Sequence, residues 1–281
     1  MLWGLHTGGW MSGLTTDAED SYRAQIELLA RHDLHATSWR ASRLMEMEPE
    51  RREQIAGWAQ EHDIHVGLGL GFDYFSEDED EIEERTQRDI QAVHALKDMF
   101  RTPVCTTGIR RNYHHYSRDC PLPKQIEILS RTMAPLAEAC AEEGCPLVVH
   151  KVAHYGRDLA ELCERTPGLG ILLDTANCFL IGEPPLMAAR DCAPYTYASH
   201  FKDHYAFPKF NPLGLGVRGA VPGQADCDLR QTFDILMEHA PEPDNMFMEL
   251  EIDPVRDEND EPRDRQQVLE EAVAFIRSLE A

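Results

Sequence analysis

RHDLHATSW, residues 31–39, and EHDIHVGLG, residues 61–69, repeat one pattern thirty residues apart: His-Asp-apolar-His-small. That spacing accommodates one strand and one helix, the unit from which layered α/β folds are built. In both copies the pattern follows a helical stretch and opens a strand. Ahead of the first, Tyr22, Ile26 and Leu29 fall on one helical face, and Thr16 with Glu19 offers a capping box for that helix.

The alternation continues to the end of the chain. A strand near Ile64 to Leu70 leads to Ser76, read as an N-cap with Glu79 at N3, and the acidic run SEDEDEIEE suits the positive end of a helix dipole. TPVCTT is a fourth strand. It is followed by a helix through Ile126, Leu129 and Met133, with a kink expected at Pro135 and an end at Gly144. PLVVH, LGILLD, YTYASHF and NMFMEL supply strands five to eight, and Val268, Leu269, Ala272, Phe275, Ile276 and Leu279 mark a closing helix. Eight strands alternating with helices, without a linker, predict an α/β protein with one (β/α)8 TIM barrel domain spanning residues 1–281. Two long insertions, residues 108–123 and 203–228, follow strands four and seven. Loops at that end of such a barrel carry the active site.

The formal net charge of −23 disfavours nucleic acid as a partner, because an acidic surface repels phosphate backbones. Eight cysteines without a CxxC pair read as small apolar residues in a reducing compartment. No apolar run reaches membrane-spanning length, and MLWGLHTGGWMSG lacks the basic and apolar regions of a signal peptide. A soluble cytoplasmic protein without a membrane partner is the expectation, and a homo-oligomer is compatible with it.

Side chains alternate faces along a strand, so the last four strands can be tested for parity. His150 shares a face with Val148, Asp174 with Leu172, His200 with Ala198, and Glu249 with Phe247 and Glu251. Two imidazoles and two carboxylates near the carboxyl ends of consecutive strands form a ligand set for a divalent cation. Mixed nitrogen and oxygen donors suit Mn, Fe, Co, Ni or Zn, with Mg less favoured. Alone, each residue has a blander reading, as a hydrogen-bonded strand end or a turn cap; their convergence is what favours a metal.

GILLDTANCFLIGEPP, YASHFKDH, VPGQADCDL and MFMELEIDP, in this order and over nearly the whole chain, resemble the xylose-isomerase-like TIM barrels. That family includes sugar and sugar-phosphate isomerases and epimerases, inosose dehydratases and metal-dependent apurinic endonucleases. The resemblance implies that Asp174, His200 and Glu249 bind the metal. The family's fourth ligand is usually a Glu ending strand five, in a Leu-x-Ile-Glu-Asn-His pattern; aligned from Gly144, this chain has His150 there and Lys151 next. Where several members carry a His three residues after the Asp, Asn177 stands here. Isomerases and epimerases of this type use two metal-bound carboxylates as bases, of which only Glu249 remains. His150, Lys151 or Glu251 would have to supply the second proton relay, unless the reaction needs one base, as in elimination from a keto sugar.

His6, Trp39, Lys202, Asp203, Arg218 and Glu251 are candidate substrate-binding residues around a small carbohydrate. Packing explains Trp39 equally well, and a salt bridge explains Lys202. Arg110, Arg111, His114, His115 and Arg118 form a basic loop that could clamp an anion, although charge balancing is the simpler account. His35 and His65 read as structural, and GLGLG as small residues inside a barrel strand rather than a dinucleotide fingerprint. The lead expectation is a metal-dependent sugar isomerase or epimerase with Glu249, His150 and Lys151 as candidate catalytic groups. The rivals are a lyase or dehydratase, abasic-site cleavage, which the acidic charge disfavours, and a barrel that only binds carbohydrate.

Overall fold

The computed structural model describes residues 1–18, 20–71, 74–110, 113–209 and 214–280. In chain order its elements are β1 (Leu2–Leu5), α1 (Ser21–Arg31), β2 (Ala36–Arg40), α2 (Ala41–Met45), α3 (Pro49–Glu61), β3 (His65–Gly69), α4 (Glu79–Leu96), β4 (Cys105–Gly108) and α5 (Leu122–Glu142). They continue with β5 (Leu147–His150), α6 (Gly156–Arg165), β6 (Leu169–Asp174), α7 (Pro185–Cys192), β7 (Thr196–Phe201), β8 (His204–Pro208), β9 (Leu215–Gly219), α8 (Leu229–His239), β10 (Phe247–Leu250) and α9 (Arg265–Leu279). Eight of the strands form a closed barrel in the order β1-β10-β7-β6-β5-β4-β3-β2, and every neighbouring pair is parallel. The chain is thus a (β/α)8 barrel. β8 and β9 form an antiparallel hairpin inside the insertion after the seventh barrel strand.

The repeated His-Asp pattern has a local cause. His32 and His62 are the C-caps of α1 and α3, and Asp33 and Asp63 follow with φ of 55° and 56°. Each Asp takes the left-handed position that glycine usually fills after a helix, as Gly144 does after α5 with φ of 72°. Leu34 and Ile64 are then buried, and His35 and His65 stand at the strand entrances, bonded to the carbonyls of Asp63 and Arg101 at 3.2 and 3.1 Å. Among the described residues no helix is long and apolar enough to cross a membrane.

Both expected helix starts shift. Asp20 caps α1, accepting from the Arg23 amide at 3.2 Å, whereas the Thr16 hydroxyl donates to the Ser12 carbonyl; Glu19 lies outside the described residues. Asp78 caps α4 through the Glu81 amide at 3.1 Å, and Ser76 instead accepts from the Asp78 amide. In each case an ionised acceptor directly before the first helical residue outcompetes a hydroxyl farther upstream. α5 continues through Pro135.

Ala36, Val104, Val148, Leu172, Ala198 and Phe247 fill the barrel interior. A Cβ at Gly67 would lie 2.9 Å from Ser38 Oγ and 3.0 Å from Phe247 Cζ, so the strand-three glycine admits that ring to the interior. The eight cysteines are buried and unbridged.

Candidate metal centre

Strand alternation carries four of the interior side chains directly to the site. Two residues beyond Val148, Leu172, Ala198 and Phe247 stand His150, Asp174, His200 and Glu249, on the same inward face and at the carboxyl-terminal mouth. Register brings them level: His200 pairs with Asp174 on one side and with Glu249 on the other. His150 pairs with Leu172, and its Nε2 reaches Asp174 Oδ2 at 3.4 Å. One donor atom from each of His150, Asp174 and His200 lies within 4.8 Å of the others, so the three could share one divalent ion.

Glu249 adjoins this group, with Oε2 3.5 Å from His200 Nε2 and accepting from Ser38 Oγ at 2.7 Å. Its Oε1 is buried without a hydrogen-bond partner among the described residues. An ionised oxygen held in that way costs free energy that a nearby cation would offset, and the donor set is one that transition ions accept. The residues therefore fit a bound divalent metal.

The electrostatics of the cluster are self-compensating. Burial opposes ionisation of Asp174, but Lys202 and His150 outweigh it and hold the carboxyl down at about 2. Burial pulls His200 down, while Glu249 and Glu251 outweigh that and hold it up at about 10. His150 and His6 are both lowered, chiefly by burial. Lys202 Nζ lies 2.8 Å from Glu251 Oε1, 3.3 Å from Asp174 Oδ2 and 3.7 Å from Asp253 Oδ2. Against the desolvation cost, those three carboxylates raise its pKa. Glu251 Oε2 in turn sits 2.8 Å from His200 Nδ1.

Two adjoining cavities open on this cluster and share His150 and Glu251. One, of about 230 Å³, is walled by His6, Ser38, Arg40, Thr106 and His200 among others. The second, of about 320 Å³, is walled by Ile109, Arg110, Val152, Asp174, Asn177 and Lys202 among others. Together they are of a size that holds small molecules.

The structure brings His6, His150, Asp174, His200, Lys202, Glu249 and Glu251 together; the His6 and His200 rings are 5.1 Å apart. It leaves Lys151, Asp203 and Arg218 elsewhere and Trp39 on the edge of the smaller cavity. Lys151, the strand-end neighbour of His150, points to the opposite face, where its Nζ meets Glu183 Oε2 at 2.7 Å with both side chains fully buried. Trp39, within β2, borders the smaller cavity, while its ring packs edge-on against Tyr22 and Phe100 and donates to Gln25 at 2.9 Å. Asp203 accepts from the amides of Gly223, Ala225 and Cys227 at 2.9 to 3.1 Å and so braces the loop ahead of α8. Arg218 is exposed on the hairpin, over the Tyr205 ring. Of the basic loop, Arg110 reaches a cavity wall, His115 pairs with Asp158 at 2.7 Å, and Arg111 is outside the described residues. Ser38, Asp253 and His204, which bonds Asp253 at 2.8 Å, were not anticipated; Ser38 alone had a signal, in sharing the Ala36 face.

A closed parallel barrel with imidazoles and carboxylates gathered at its carboxyl-terminal mouth defines a class, the metal-competent TIM barrels. A model of the xylose isomerase-like TIM barrel family matches residues 25–279, and the chain belongs to that family. D-psicose 3-epimerase from Clostridium cellulolyticum H10, solved with D-tagatose, superposes with a TM-score of 0.75 at 14% identity, over 100% of this chain and 98% of its own. The probable 3-DHS dehydratase AsbF of Bacillus anthracis gives 0.67 at 15% identity over 99% of each chain. A xylose isomerase-like barrel from Mycobacterium smegmatis, in complex with magnesium, gives 0.69 at 13%, over 94% of this chain and 90% of its own. At such identities the likeness concerns the fold. No curated protein matches the sequence.

Proposed function

We propose that this protein is a divalent-metal-dependent enzyme that isomerises or epimerises a sugar, keto sugar or polyol by removing a proton alpha to a carbonyl. The observation that carries this reading is the convergence of His150, Asp174 and His200 within 4.8 Å at the barrel mouth, with Glu249 beside them. These four residues would hold the ion, which when bound supplies Lewis-acid polarisation of a substrate oxygen. Glu249 is the base. Its pKa is lowered: burial opposes ionisation, but His200 and Ser38 hold the carboxylate form, and Oε1 is left without a hydrogen-bond partner among the described residues to compete for the substrate proton. His150, whose neutral imidazole burial favours, serves as an ion ligand, and the proton that Glu249 removes is returned by the same carboxyl group. Lys202 and Glu251 are engaged with one another at 2.8 Å and keep the cavity floor electrically balanced.

One observation favours a second reading, elimination of water or an aglycone from a keto sugar. His150 occupies the position where a two-carboxylate mechanism needs its second acid, and elimination needs only one base. Incubating the Mn- or Co-loaded protein with a panel of ketoses and keto glycosides in deuterated water tests both. Isomerisation places solvent deuterium at carbon, and elimination gives a mass loss. Neither change across the panel refutes the proposed activity.

A further inference from the structure

Asp174 is held by five contacts, and two of them come from one residue three positions on. Its Oδ1 accepts from the amides of Ala176 at 3.0 Å and Asn177 at 2.9 Å, which folds the DTAN segment back on the carboxylate. The outer oxygen, Oδ2, is the one that faces His150 at 3.4 Å and Lys202 at 3.3 Å. Onto that oxygen Asn177 donates from Nδ2 at 2.6 Å. The same nitrogen lies 3.3 Å from the carbonyl of Lys151. That carbonyl cannot drift, because the Lys151 amide donates to Leu172 O at 3.0 Å and so continues the β5–β6 ladder. The Asn177 amide thus ties the end of β5, which carries His150, to the carboxylate that ends β6.

We infer that Asn177 is a positioning residue: its side chain fixes the rotamer of Asp174 and the spacing between Asp174 and His150, so that two ligands from neighbouring strands meet one ion. This rests on the metal reading above. The geometric consequence is specific to the side chain. A residue of similar size without a donor keeps the backbone bond to Oδ1 and loses the restraint on Oδ2 together with the link to the Lys151 carbonyl. Groups that orient a ligand without touching the metal change affinity by about 10- to 100-fold when removed.

The test compares wild type, Asn177→Leu and Asn177→Gln in the full chain, stripped of metal and titrated with Mn(II), with free ion counted by electron paramagnetic resonance. Asn177→Leu should bind at least about tenfold more weakly while its thermal melt stays close to wild type, and Asn177→Gln, which restores an amide donor without adding a metal ligand, should recover most of the affinity. Equal affinity in all three proteins overturns the positioning role and leaves the metal site standing. Loss in the leucine variant without recovery by glutamine also overturns it, since bulk rather than donation would then matter. A wild-type protein that binds no Mn(II) or Co(II) overturns the metal reading and this inference together.

Discussion

Replacing Lys151 by Met tests whether the residue next to His150 belongs to the chemistry or to the fold. Its ammonium sits 2.7 Å from Glu183 Oε2, both side chains are fully buried, and Glu183 Oε1 accepts from the Gly156 amide at the start of α6 at 2.7 Å. Methionine fills nearly the same volume but leaves the Glu183 charge uncompensated. Removing one member of such a pair costs about 3–5 kcal/mol. For a chain of 281 residues, an unfolding entropy of about 2.1 cal/mol/K per residue gives about 0.6 kcal/mol/K, so the melting temperature should fall by about 5–8 °C. Adding Glu183→Gln should recover about half of that loss, because a neutral amide oxygen still accepts from Gly156 while the stranded charge is gone. The assay is a calorimetric melt of the wild type, both single variants and the double variant, beside Mn(II) titration at 20 °C. Since the Lys151 carbonyl and amide are retained, the affinity of the folded protein should change by less than about threefold. A Lys151→Met protein that melts with wild type but no longer turns over substrate would place the amine in the reaction and refute the assignment.

Three further outcomes follow from the geometry. Asp203→Ala strands the amides of Gly223, Ala225 and Cys227 and should cost about 3–5 kcal/mol in urea unfolding, with Asp203→Asn losing markedly less. His154, buried against Gln125 at 3.0 Å, is held down at about 4 by desolvation. Its folded pKa thus lies below the unfolded value of about 6.5, its stabilising contribution is complete above that value, and up to about 3 kcal/mol disappears as pH falls from about 6.5 toward 4; the difference between wild type and His154→Gln, measured across that window, isolates it from other groups. His150→Glu should shift ion preference toward Mg by at least about tenfold against Co, read by competitive titration, because an added carboxylate favours hard ions; an unchanged preference would remove His150 from the ligand set.

The parts of the fold that were legible in the sequence are those governed by a period. A spacing of thirty residues between the two His-Asp patterns is long enough to contain a helix and a strand, and it led to the barrel. Alternation along strands did the same for His150, Asp174, His200 and Glu249, because Val148, Leu172, Ala198 and Phe247, all apolar and buried, mark the inner face. Applied without exception, that rule would also have excluded Lys151, next to His150, and Asp203, next to Lys202, and turned Trp39 away from Ser38. What alternation cannot reach lies beyond the strand ends. Asp253 and His204 meet only because the chain after β10 and the hairpin strand β8 happen to return to the same corner of the mouth. The caps of α1 and α4 were misplaced for a different reason: hydroxyl and carboxylate candidates stood within a turn of each other, and the choice depends on backbone direction.

Opposed charges explain how so many ionised groups tolerate one small space at the barrel mouth. Asp174, Glu249, Glu251 and Asp253 supply four negative charges, and Lys202 with a protonated His200 supplies two positive ones. A divalent ion ligated by His200 requires the neutral imidazole, so one positive charge leaves as two arrive. The mouth then gains one net positive charge, and its deficit falls from two to one. With a Glu in place of His150 the same count would end one charge more negative, so the imidazole at this position lowers the negative charge that faces a cation and leaves a softer, nitrogen-richer donor set.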